Sequence, residues 1–177
     1  MGGQAAESGE AAASAATNRA ATGQRALVMA TCKIPVSVLV VIHTADLLVL
    51  VLERANAPGF WQSVTGSVDA IDEPLRDTAI REVREETAID AAAPGHVLSD
   101  WHYTNRFEIY KRWISRYAPG VTHNTEHVWG LTIPAPVVPV LTEHLAYEWL
   151  PWREAADKCF SWSNAEAIRQ LPERLGR

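Results

Sequence analysis

Two hydrophobic patterns alternate along this chain. From Lys33 to Arg54 the apolar residues run in unbroken, β-branched blocks, Val38–Ile42 and Leu47–Leu52. These blocks predict a buried strand at Lys33–His43 and a second strand at Leu47–Arg54, paired with the first through a Thr44-Ala45-Asp46 turn. They are too short to cross a bilayer. Asn56–Gly59 has turn composition, and Phe60–Val64 is a short strand end. From Pro74 to Thr87 the period changes: Leu75, Ala79, Ile80, Val83 and Thr87 share one side of a helix. A loop follows at Ala91–Gly95. Val97–Tyr110 and Lys111–Tyr117 predict two strands with a bend, ended by Ala118-Pro119-Gly120. Glu126–Ile133 predicts another strand, Pro134–Pro139 a proline-rich loop, and Tyr147–Leu150 a last short strand. Asn164–Leu171 predicts a helix capped by Ser163 or Asn164. Strands around one central helix, with a second helix at the end, indicate an α+β domain.

Composition adds boundaries. Residues 1–28 are rich in Ala, Gly and Ser and carry almost no large apolar side chains. They are expected to form a disordered extension before a single domain over 29–177, with Met29 an alternative start. That extension lacks the apolar core of a signal peptide. The net charge of −5 argues against general nucleic-acid binding, but it permits a phosphorylated substrate when a cation reverses the local sign. Cys32 and Cys159 form neither a disulfide framework nor a zinc pattern, consistent with a reducing cytoplasm.

The chemistry concentrates at Arg81-Glu82-Val83-Arg84-Glu85-Glu86. On a helix, Glu82, Glu85 and Glu86 project together beside the apolar side, with Glu82 and Glu86 at i,i+4. Such a run is often only a solvated face. Here a strand end and a glycine loop, Thr65-Gly66-Ser67, precede it, and the three together make a place for a metal-bound phosphate. A hard divalent cation takes carboxylate oxygens and bridges to substrate phosphates. Arg81, one turn before Glu85, can hold that carboxylate in place.

Gly66, Glu73, Arg81, Glu82, Val83, Glu85, Glu86 and Ile89 resemble the Nudix box, G-x5-E-x7-R-E-U-x-E-E-x-G-U with U apolar. Six residues rather than five separate Gly66 from Glu73. Either Asp72 takes the first acidic position or the loop holds an extra residue, and the loop is favoured because turns absorb insertions. Ala88 replaces the box glycine, so the helix is expected to end differently, a left-handed alanine costing about 1 kcal/mol or more. The resemblance implies a mixed sheet sandwiched between helices.

The flanks narrow it. FWQSVTGSV (60–68), RYAPGVTHNTEH (116–127), LTEHLAYEWL (141–150) and SWSNAEAI (161–168) are similar to the bacterial dihydroneopterin triphosphate pyrophosphohydrolases, from about Lys33 to the C-terminal helix. This implies a Mg²⁺-dependent cytoplasmic enzyme of folate biosynthesis, with Mn²⁺ as a substitute. It also implies catalytic roles for Arg81, Glu82, Glu85 and Glu86, and metal ligation by Glu82, Glu86, Glu85 and Glu143. Lys33, Arg54, Thr65, Phe107, Glu108, Ile109, Tyr110 and Ser161 match substrate-contacting positions. Trp61, Phe107, Tyr110 and Trp162 are candidates to stack on a pterin, although for any single one of them ordinary core packing is the first explanation. His123 and His144 receive no role. The alternatives are a Nudix hydrolase of nucleoside triphosphates or their oxidised forms, and a non-catalytic Nudix-like binding module. Against the module, all the box carboxylates are retained.

Overall fold

The computed structural model describes residues 32–177, so the expectations for residues 1–28 and Met29 lie outside the described residues. Chain contacts define two compact units. The larger contains residues 34–109 and 122–177; the smaller contains 110–121 and the described residues up to Lys33.

The larger unit is built on one mixed sheet. Its strands are β1 (Val36–Thr44), β2 (Leu48–Arg54), β3 (Trp61–Gln62), β4 (Val64–Ser67), β5 (Val97–Glu108), β6 (His123–Ile133) and β7 (His144–Pro151). The order is β3-β2-β1-β6-β5, with β4 also pairing with β1 and β7 with β2. β1 and β6 run parallel, and the other pairs are antiparallel. The apolar runs read from the sequence are therefore central strands. Alternation along β1 sends Val38, Val40 and Ile42 to one face and Leu39 and Val41 to the other. The first face packs on α1 (Leu75–Thr87) through Ala79 and Val83. The second packs on α2 (Trp152–Lys158), α3 (Trp162–Arg169) and α4 (Leu171–Arg174) through Ala155, Ala167, Ile168 and Leu171. This is the expected sandwich.

Several local expectations needed correction. Leu47 is not in a strand: it closes the β1–β2 turn with φ of 65° and donates its N–H to the Thr44 carbonyl. Thr65-Gly66-Ser67 is not a loop but most of β4. Lys111–Tyr117, in the smaller unit, is not a strand. It forms turns and a 3-10 helix at Ile114–Arg116, with short-range bonds such as Trp113 N–H to the Tyr110 carbonyl. The helix read at Asn164–Leu171 begins earlier, at Trp162, and its cap is Ser161, whose Oγ accepts from the Asn164 N–H at 3.3 Å. Leu171 opens a separate short helix, where Pro172 suits the first turn. α2 was not foreseen, because seven residues are too few to display a helical period.

Candidate active site

Arg81 lies at the centre of the acidic helix. Its Nε is 3.2 Å from Glu73 Oε1, its Nη1 is 2.7 Å from Glu82 Oε1 and 3.2 Å from Glu85 Oε2, and its Nη2 donates to the Ser67 carbonyl at 3.0 Å. The guanidinium therefore joins the box loop, β4 and two helix carboxylates; burial pushes its pKa down, but Glu73 and Glu82 outweigh this and raise it above the ordinary arginine value. Glu73, not Asp72, fills the first acidic position of the box. Its Oε2 also accepts from the Asp69 N–H at 2.6 Å. Burial pushes the Glu73 carboxyl up, but the bonds from Asp69 and Arg81 outweigh it and hold the pKa below the usual glutamate value. The extra residue is therefore absorbed in the loop.

Gly66 is placed by close approach. A Cβ built there would lie 1.7 Å from the Glu82 carboxyl carbon. Without a side chain at position 66, β4 and the Glu82 carboxylate can occupy adjoining space.

The three helix acids differ sharply. The Glu85 side chain is 58% exposed and turned towards Arg81, whereas that of Glu86 is 8% exposed. Burial pushes the Glu86 pKa well up, and the charges of Glu82 and Glu143 add to this. The Thr65 backbone N–H and the Arg54 charge oppose it. Glu86 Oε2 is buried and has no hydrogen-bond partner. A desolvated carboxylate oxygen with no donor, beside two further carboxylates, fits a divalent cation, which would replace the missing donor and remove the repulsion. Among the described residues no three acidic, His or Cys side chains are grouped closely enough to hold a metal ion by themselves.

The loop before β7 is tied to this helix. Thr142 Oγ1 donates to the Glu85 carbonyl at 2.7 Å, and the Glu143 carbonyl accepts from the Ala55 N–H at 3.1 Å. His144, given no role from the sequence, has its Nε2 3.9 Å from Glu86 Oε2. Burial, with the Arg54 charge, lowers its pKa to about 4 against the pull of Glu143, so the ring is neutral and the contact is not an ion pair. A second polar line leaves the helix along the sheet: Arg54 Nη1 donates to Gln62 Oε1 at 2.8 Å, and Gln62 Nε2 to Thr65 Oγ1 at 3.0 Å.

Of the other predicted residues, Phe107 and Glu108 end β5 opposite Asn124 and His123, and Ile109 follows, buried, with its N–H on the Thr122 carbonyl. Alternation puts Phe107 and Glu108 on opposite faces. Ser161 is the α3 cap, with its Oγ 3.5 Å from Ser163 Oγ. Lys33 and Tyr110 belong to the smaller unit. There the Lys33 N–H bonds the Arg116 carbonyl, and the Tyr110 ring meets Trp113 edge to face at 5.4 Å. Of the stacking candidates, Trp61 packs on the core with Lys158 Nζ 3.9 Å from its ring centroid, while Trp162 is exposed. Buried polar side chains that sequence reasoning did not single out include Gln62, Asn105 and Glu126. The signal available was strand parity: Asn124 and Glu126 share the inward parity of Val128.

Comparison with known proteins identifies the family and the fold. The NUDIX domain matches residues 33–171. The chain is 50% identical over 140 residues to the dihydroneopterin triphosphate diphosphatase of Escherichia coli K12, covering 78% of this chain and 93% of that protein. It is 41% identical over 142 residues to the Haemophilus influenzae protein of the same name, covering 80% and 89%. The solved structure of the E. coli dihydroneopterin triphosphate pyrophosphohydrolase superposes with a TM-score of 0.75 at 48% identity, over 80% of this chain and 97% of that one. With the box residues gathered around Arg81 and the sheet held between helices, the chain belongs to the Nudix hydrolase family.

Proposed function

We propose that this enzyme hydrolyses dihydroneopterin triphosphate to dihydroneopterin monophosphate and pyrophosphate, as a cytoplasmic step of folate biosynthesis. The observation that carries the reading is the 50% identity to the E. coli diphosphatase across 93% of its length, which extends far beyond the box shared by the wider family. Nudix hydrolases use a divalent metal, and the proposal assigns Mg²⁺ here, with Mn²⁺ as a substitute. Glu82 and Glu86 would hold it, with Glu85 and Glu143 as further carboxylates. Bound there, the ion would neutralise phosphate oxygens and favour attack by water.

The chain's own residues do the rest. Arg81 holds Glu82 and Glu85 in place. Arg54 brings positive charge near Glu86 and is linked through Gln62 to Thr65, which suits a triphosphate lying along β4. Lys33, Phe107, Glu108, Ile109, Tyr110 and Ser161 are proposed to contact substrate.

The test is turnover of dihydroneopterin triphosphate beside the common nucleoside triphosphates, with pyrophosphate as the measured product. The expected result is clear preference for the pterin. Equal or better efficiency on an ordinary nucleotide would transfer the assignment to nucleotide hydrolysis and leave the hydrolase class intact.

A further inference from the structure

The sheet face opposite α1 is not uniform. Under α2, α3 and α4 it is apolar, with Leu39, Val41 and Val128. Towards the starts of β1 and β6 the same face turns polar while staying buried. Ser37, Asn105, Asn124, Glu126 and Ser163 are each less than a tenth exposed. Asn105 and Glu126 are register partners on β5 and β6, and Phe107, two residues beyond Asn105, lies opposite Asn124. Thr65 shares this face, being the register partner of Leu39. Ser163 hydrogen-bonds the Glu126 side chain, and its Oγ is 3.5 Å from that of Ser161. Three positions proposed to contact substrate, Thr65, Phe107 and Ser161, are thus on or beside one buried polar patch, with Glu126 inside it.

This patch has more polar atoms than partners for them. Asn124 Oδ1 and Ser63 Oγ are buried with no hydrogen-bond partner, and Asn105 Nδ2 is 3.5 Å from Glu126 Oε1, at the limit of a hydrogen bond. Purely structural networks are normally satisfied, because each unpaired buried group costs stability. A buried carboxylate held only by an amide and a hydroxyl is set to receive further donors. Burial raises the Glu126 pKa to about 7, and its bonds to Asn105 and Ser163 reduce that effect only in part.

Ring chemistry then selects the ligand. The 2-amino-4-oxopyrimidine edge of a pterin offers two adjacent parallel donors, the 2-amino N–H and N3–H, followed by the 4-oxo acceptor. A carboxylate is the side chain that accepts two such donors together, and an adjacent carboxamide N–H can serve the oxo group. Guanine carries the same edge. Adenine and uracil do not. We propose that Glu126 reads this edge of the substrate ring, accepting both N–H donors, while Asn105 donates to the 4-oxo oxygen. The assignment rests on the substrate reading above.

The experiment compares kcat/KM for dihydroneopterin triphosphate, GTP and ATP in the wild type and in Glu126→Gln, which keeps shape but sets an amide donor against the ring donors. The expected result is a loss of at least ~100-fold on the pterin, mainly in KM, because a site built to pair a ring N–H discriminates strongly when that pairing fails. GTP should fall to the level of ATP, with ATP changed by less than about threefold. Retained pterin and guanine preference in the variant would overturn the assignment. So would an equal loss on all three substrates, the mark of a merely structural acid. A second measurement needs no variant: inhibition of the wild type by 7,8-dihydroneopterin and by its 2-oxo analogue, which lacks the amino donor. The analogue should bind at least ~30-fold more weakly, and equal potency would overturn the proposal. A wild type without pterin preference would sink the substrate reading alone. The guanine-over-adenine preference, and its loss in the variant, would then decide Glu126.

Discussion

Residue identity matters here chiefly through desolvation. Glu73, Glu86 and Glu126 are the same side chain in three settings. Bonds from Asp69 and Arg81 hold Glu73 below its ordinary pKa, whereas burial raises Glu86 and Glu126. For Glu126 the consequence can be measured as stability. Its folded pKa of about 7 exceeds the ordinary 4.5, so its contribution is most favourable below pH 4.5 and is lost as pH rises through about 7. At pH 8 the ionised form carries a burial cost of about 3 kcal/mol relative to the neutral one. Glu126→Gln, which cannot ionise, should therefore raise the melting temperature at pH 8 and change it little at pH 4.5. The same shift at both pH values in calorimetry would contradict the buried-charge account. A substitution that stabilises the fold while removing ring selectivity is what a residue kept for binding should produce.

At the scale of elements, the ends of α1 place the site. Pro74 precedes the first turn, and Ala88 closes the last with φ of 59° and its N–H on the Arg84 carbonyl. The helix thus ends as a glycine would end it, not differently as the replacement of the box glycine predicts. Packing enforces this: Thr87 and Ile89 on either side are buried, and the Thr87 carbonyl accepts from the Val140 N–H. The alanine pays a left-handed penalty that glycine would not. Ala88→Gly is expected to stabilise the protein by about 0.5–1 kcal/mol after glycine's greater loss of chain freedom is counted. Turnover should be unchanged, because position 88 touches none of the proposed ligands. Denaturant unfolding checks the first expectation, and loss of stability would mean that the end of α1 is not as described.

For the larger unit as a whole, stability and catalysis draw on different groups. Two apolar layers, one under α1 and one under α2 to α4, hold the sheet. Glu86 lies at the border of the first layer, where burial makes its charge costly when uncompensated and suits the ligand role proposed for it. Glu86→Gln should therefore keep the circular dichroism spectrum and a melting temperature at least equal to wild type. Turnover should fall by at least ~100-fold at every Mg²⁺ concentration, the scale of losing one preorganised electrostatic group. A folded variant with near-wild-type rates would remove the carboxylate cluster from the mechanism.

The sequence by itself determined the central strands, the acidic helix and the box, because each is written in local period or fixed spacing. Val38–Ile42 is a short β-branched apolar run that reads as a buried strand, and Glu82, Glu85 and Glu86 fall on one helical patch at i,i+3 and i,i+4. Only the tertiary structure decided which of those acids is buried, because Glu85 and Glu86 are neighbours in the chain and differ only in what packs beside them. It also decided that Gly66 sits in a strand against Glu82, and that Ser161 rather than Ser163 caps α3. The polar patch around Glu126 is likewise a tertiary result. Asn105, Glu126 and Ser163 come from three elements far apart in sequence, and their burial exists only once β5, β6 and α3 meet on one face of the sheet.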